Sequence, residues 1–290
     1  MTSHQPPALP ARLRKPSLGE AAMHGGWSLF IESFKRYFFS KRSVVLSLLF
    51  LVPSALIVLI KSVSGSPNVG TIQWLKNIEN DLLLSFAPTV LLSFAGLLNA
   101  VGLIQDEIEE QTLTYLLLRP TPRWMIYLAK LLAATLTTVI LACFFHAVSY
   151  VCLYSGSEHA GQILRTNMRS SMAAVALAAT AYSAVFGMIG LLLKRSLIVG
   201  VMYIVIFEGV LAMIPFNFRS YTIIYYFRVL CIQWVEVDPD QWGMTPTASQ
   251  PLPTASHSVL VLVLAAAVLA LLGAYYVQRK EFRMKTPAGA

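Results

Sequence analysis

Six stretches of this chain are apolar for about the 20 residues that a helix needs to cross a bilayer: 44–63, 82–104, 130–154, 172–193, 197–214 and 258–277. A water-facing domain has no room for such runs, because a helix that is apolar all round must be buried or wrapped in lipid. Composition points the same way. Hydrophobic residues make up 56% of the chain and charged residues only 12%, against the ~25% with which a soluble domain covers its surface. The expected fold is an all-α membrane protein with six transmembrane helices. The fourth and fifth runs are separated only by Lys194, Arg195 and Ser196 and form a tight hairpin. Prolines 53 and 88 fall inside the first and second runs, where a membrane helix tolerates them.

The net charge of +8 reads as topology, not as a nucleic-acid footprint, because the basic residues come in small groups between the apolar runs. Basic residues are retained on the cytoplasmic side. The N-terminal segment holds Arg12, Arg14, Lys15, Lys35, Arg36, Lys41 and Arg42; the second connection holds Arg119 and Arg123; the fourth holds Lys194 and Arg195; the tail holds Arg279, Lys280, Arg283 and Lys285. The alternate connections carry only Lys61, Lys76, Arg165, Arg169, Arg219 and Arg228. Both termini are therefore expected in the cytoplasm, in a multi-pass protein of the cell (plasma or inner) membrane. The first apolar run begins only at Val44, too late and too long for a cleavable signal, so it is expected to act as its own insertion signal. Residues 1–24 are expected to be a disordered cytoplasmic tail, 25–42 an interfacial helix, 43–278 the six-span domain and 279–290 a basic tail. Cys143 and Cys152, nine residues apart on one helix, are too far apart for a disulfide and read as packing residues.

Ahead of the first run, Trp27, Phe30, Ile31, Phe34, Tyr37 and Phe38 recur at helical spacing, while Ser28, Glu32, Lys35, Arg36 and Lys41 face away. Aromatic residues on one side and basic residues on the other suit the headgroup boundary, where cations meet anionic lipid. An N-terminal interfacial amphipathic helix follows, with membrane lipid as its partner.

The second connection has an order of chemistry that a simple turn does not need. Asp106, Glu107, Glu109 and Glu110 open it, where a helix N-terminus favours negative charge. Thr112, Leu113, Leu116 and Leu117 then form an apolar edge at helical spacing, and Pro120 and Pro122 end it. Arg123, Trp124 and Tyr127 make a basic and aromatic belt, and Lys130 is placed to snorkel back to the surface. The pattern predicts a short surface helix across the cytoplasmic mouth.

At these residues the chain resembles the permease subunits of ABC-2-type transporters, whose second cytoplasmic connection runs from an acidic pair through Gly-Thr-Leu and two leucines to Pro, a basic residue and Lys. Glu107, Glu109, Thr112, Leu113, Leu116, Leu117, Pro120, Arg123 and Lys130 match that order, and Gln111 stands where the family usually has Gly. The resemblance implies a permease of an ATP-driven exporter that is not itself an enzyme. Its second connection would be the coupling helix for a separate ABC ATP-binding subunit, and ATP would be bound by that partner with no cofactor held here. It further implies pairing of two permeases as a homodimer or heterodimer. Independently, the chain has no G-x-x-x-x-G-K-[ST] loop to cradle phosphates.

Polar groups inside the apolar runs are costly and therefore informative. Glu208, in the fifth run, is read as the only acid within the spans, either lining the translocation path or bonded to a neighbouring helix. Asn99, between Gly96 and Gly102, is read as helix-packing glue and as a second candidate for the path. His146 stands alone in an apolar helix, without the second ligand a metal would need. In the long connection 216–257 the aromatic part, 221–235, is interrupted by Arg228 and is expected to be a helical segment resting in the outer leaflet. Two other classes stay open beside the permease: a secondary carrier without an ATPase, disfavoured by the single intramembrane acid and the absence of an evident repeat, and an intramembrane enzyme, disfavoured by the lack of H-E-x-x-H or comparable motifs.

Overall fold

The computed structural model describes residues 18–63, 72–103, 122–157, 160–213, 217–245 and 251–279, and every regular element among them is helical. The main helices are α1 (Leu18–Phe38), α2 (Lys41–Val63), α3 (Ile72–Ala100), α4 (Arg123–Tyr154), α5 (Ala160–Leu192), α6 (Ser196–Val210), α7 (Ile223–Trp234) and α8 (Ala255–Arg279). Five of them, α2, α3, α4, α5 and α8, are long and apolar enough to cross a bilayer. Their outward faces are as apolar as their inward ones. On α8, Leu262, Ala266 and Ala274 are buried while Leu260, Val263, Leu264, Leu271 and Leu272 are exposed, as expected where lipid replaces water as solvent.

The expected fifth span is shorter than the others. α6 gives way at Ile204 to wide π turns and beyond Val210 to a 3₁₀ turn, Leu211–Met213. At 1.5 Å per residue the apolar helix covers about 22 Å, against a hydrocarbon core of about 30 Å.

α5 is the axis of the bundle. In its apolar stretch 61% of residues are buried, against 33% for α2 and 28% for α8, because small residues let other helices close on it. Ala174, Ala178 and Ala181 are fully enclosed. A side chain on Gly190 would collide with the carbonyl of Val101, so α3 and α5 pack there backbone to backbone.

Hydrogen bonds sort the helix ends into two layers. At one end, here called the base, Lys130 Nζ reaches the carbonyl of Leu103 (3.4 Å), and α1 packs Leu29 against Ile126 and Ala129. At the far end, Lys61 Nζ donates to the carbonyls of Cys152 (2.9 Å) and Ser155 (3.1 Å), and Gln233 Nε2 donates to the carbonyl of Pro253 (2.6 Å). α1 and the last turns of α8 lie together at the base.

α1 starts at Leu18, before the expected boundary at 25, and ends at Phe38. Ser40 then starts α2, its hydroxyl accepting the N–H of Ser43 (3.2 Å). The face of α1 turned to the bundle is Gly26, Leu29 and Ser33, while Trp27 is 64% exposed. Trp27, Phe30, Phe34 and Phe38 stack along the helix with centroids 5.4 to 6.3 Å apart. Trp27 is presented outward, while Phe30, Tyr37 and Phe38 pack partly against the bundle beside the smaller docking residues.

α7 does not lie on the bundle's surface. Phe227, Leu230 and Cys231 are fully buried and the helix packs between α5 and α8. α6 starts at the base and α8 at the far end, with the shorter apolar helices α6 and α7 between them among the described residues.

Candidate functional site

Most of the expected coupling segment, Asp106, Glu107, Glu109, Glu110, Thr112, Leu113, Leu116, Leu117 and Pro120, lies outside the described residues. Its two anchors are described. Leu103 ends the turn that follows α3, and Arg123 is the exposed first residue of α4.

One turn into α4, Tyr127 is fully buried, and its ring lies against Gly187 of α5 and Gly273 of α8. A Cβ on Gly187 would come within 3.3 Å of its hydroxyl, and one on Gly273 within 2.5 Å. The root of α4 is therefore keyed into two other helices immediately after the connection. Lys130, expected to snorkel outward, is instead 4% exposed and turned inward to the Leu103 carbonyl. The Leu103 carbonyl lies just past the end of α3 at Ala100, where a helix C-terminus carries partial negative charge that a nearby ammonium offsets. Sequence reasoning missed Tyr127 because a tyrosine at a helix base also fits an interfacial belt.

Asn99 joins α3 to α4, its Nδ2 donating to Thr138 Oγ1 (2.8 Å) in a fully buried contact. Glu208 is 1% exposed. Its Oε1 accepts the N–H of Ile223 (3.2 Å) and its Oε2 that of Ile224 (3.1 Å), while Tyr203 Oη approaches Oε1 at 3.4 Å. Thr222 Oγ1 accepts the next free amide, that of Tyr225 (3.3 Å). The first amides of α7, which have no partner within the helix, are thus taken up by one carboxylate and one hydroxyl. Negative charge also suits the positive end of the helix dipole. The tie runs from α6 to α7 and joins these two shorter apolar helices.

Glu208 is not the only buried acid. α3 begins at Ile72, ten residues before the run at 82, and this draws Glu79 into the span, where it is 4% exposed. Tyr150 Oη donates to Glu79 Oε1 (2.7 Å) and Tyr154 Oη to Oε2. The signal was present on α4, where His146, Tyr150 and Tyr154 recur at every fourth residue on one face. His146 Nε2 lies 3.1 Å from Ser171 Oγ of α5, and its ring stands edge-on to Tyr150. His146 and Ser149 also line a narrow crevice between α2, α3, α4 and α5, whose other walls include Pro53, Pro88, Phe145 and Val175. At Pro88 α3 is wound as a π-helix, Glu79–Leu92, a form that accumulates at functional sites.

No curated protein matches the chain. The model of the ABC-2 family transporter proteins matches residues 34–211, from the end of α1 through α6, and so includes the whole second connection. That match covers more than half of the chain, and the five long apolar helices agree with it. The protein belongs to the ABC-2 transporter family and is a multi-pass membrane permease of an ABC transporter.

Proposed function

We propose that the chain is the membrane half of an ATP-driven exporter, powered by a separate ATP-binding subunit that docks on the connection 105–121. The observation that carries this reading is the position of Tyr127 and Lys130: the helix that leaves the connection is keyed at once into α3, α5 and α8. A push delivered to the connection would therefore reach three helices through buried contacts, in keeping with the rule that coupling needs a contiguous packed path. In the proposed arrangement the base is cytoplasmic, α1 is the interfacial helix resting on lipid, and α6 with α7 completes the sixth crossing. Two permeases pair around the path. Arg123 and the acids Asp106, Glu107, Glu109 and Glu110 orient the ATPase at the rim, while Leu113, Leu116 and Leu117 supply buried anchors, since central apolar residues carry affinity and rim charges steer association.

The test is a pull-down of the ATP-binding subunit on detergent-solubilised permease. Leu113→Asp with Leu116→Asp would bury two charges in the interface, so the ATPase is expected to dissociate while the permease still inserts and dimerises. Glu107→Gln with Glu109→Gln is expected to keep the complex but weaken the link between ATP turnover and transport. Full retention of the partner by the leucine double variant, with normal coupling, would overturn the reading.

A further inference from the structure

The carboxyl group of Glu79 has no role in the coupling described above, yet it sits in a closely built buried polar site of the far end. Both oxygens are taken up by phenols from one face of α4, Tyr150 and Tyr154, and all three residues are buried. The two rings stack at 6.1 Å, and the third ring of the same ladder, His146, meets Tyr150 at 5.1 Å. We propose that Glu79, clasped by Tyr150 and Tyr154, is an exchangeable proton-binding site of the permease, joined along one face of α4 to His146 on the wall of the inter-helical crevice.

Three observations carry this. First, the groups bonded to the carboxyl oxygens are neutral: the two phenols and the side-chain amide of Asn167. On α3 itself, Lys76 and Asp81 are exposed, and the Lys76 ammonium acts on Glu79 as a nearby charge without bonding to it. From α2, Lys61 is bonded to the end carbonyls of α4. On α5, Arg165 and Arg169 are exposed while Asn167 and Ser171 border the cluster. From α7 comes the buried thiol of Cys231, with Arg228 one turn earlier set over Trp242. A buried carboxylate whose bonded partners are all neutral bears a desolvation cost that uptake of one proton removes.

Second, the phenols can serve both states. In the ionised state both hydroxyls donate to the carboxylate. On protonation one carboxyl oxygen forms an O–H bond with a proton taken from water at the far end, and donates it to the oxygen of Tyr154, which turns from donor to acceptor. No other covalent bond changes and no electron is transferred.

Third, the cluster leads somewhere. Ser171 borders the Tyr150 hydroxyl and lies 3.1 Å from His146 Nε2, and His146 lines the crevice together with Ser149. Proton occupancy at Glu79 thereby reaches the wall of a space between four spans and reverses the direction of one of the two hydrogen bonds tying α3 to α4. This inference does not depend on where the ATPase docks.

Infrared difference spectroscopy on the full chain, purified in detergent and titrated without its partner, tests it. The wild type is expected to show the carbonyl stretch of a protonated carboxyl that disappears as the pH rises. Glu79→Gln should abolish that band and Glu208→Gln should retain it. Tyr154→Phe, which keeps the packing, removes one donor to the carboxylate and should move the midpoint to higher pH by about one to two units, the equivalent of one hydrogen bond to a charged group. A titrating band that persists in Glu79→Gln, a wild-type carboxyl spectrum that does not change with pH, or an unmoved midpoint in Tyr154→Phe would each overturn the proposal. Should Glu79→Gln fail to fold, the Tyr154→Phe and Tyr150→Phe midpoints decide.

Discussion

The hydroxyl of Tyr127 stands 2.5 Å from where the Cβ of any other residue at Gly273 would be. α4 and α8 can therefore close on each other only because position 273 has no side chain, and the oxygen that fills the notch has no hydrogen-bond partner among the described residues. Contact of this kind is shape matching, since removal of the hydroxyl would leave no donor stranded.

Gly273→Ala is accordingly expected to lower the melting temperature of the solubilised permease, by the roughly 1–3 kcal/mol that overpacking costs. Tyr127→Phe should be near neutral for stability. Combining Gly273→Ala with Tyr127→Leu should cost less than the sum of the two single changes, because the smaller side chain vacates the space that alanine needs. Strict additivity in a thermal-shift series would show that the two positions do not meet.

Glu208 holds the start of α7 through two amides. Glu208→Gln keeps one acceptor but points an amide N–H₂ at the other backbone N–H, so a loss of about 1–3 kcal/mol is expected from the unsatisfied buried group. The readout is Cys231, fully buried on α7: its labelling by a small maleimide should speed up in Glu208→Gln and more so in Glu208→Ala. A Glu208→Gln protein with unchanged melting temperature and an unreactive Cys231, but reduced transport, would instead favour a direct role in the translocation path.

Topology is tested by impermeant thiol reagents on intact cells, in a background without Cys143, Cys152 and Cys231. A cysteine at Thr247 is expected to react from outside and one at Thr121 only after the membrane is opened. The reverse pattern would invert the orientation and remove the ATP-binding partner from the base.

Much of the architecture is legible in the residue order alone. Transfer of each side chain from water to lipid is a local property that adds up along a window, so the runs at 44–63, 130–154, 172–193 and 258–277 each reappear within a helix long enough to span. The order of acids, leucines and prolines in the second connection is likewise a linear signal, and the family match includes it. What a buried polar group bonds to is not local. Whether Glu79 lies in a loop or in a span depends on α3 starting at Ile72, and a window average at 72–81 cannot foresee that Tyr150 and Tyr154 wait for its two oxygens. Lys130 turns inward to the Leu103 carbonyl just past the end of α3, and α7, packed against α5 and α8, has its first amides taken up by Glu208. The sequence by itself determined which segments shun water; the tertiary structure alone decided which polar groups meet inside them, because a hydrogen bond depends on the position of two side chains from different helices, and hydropathy records only one at a time.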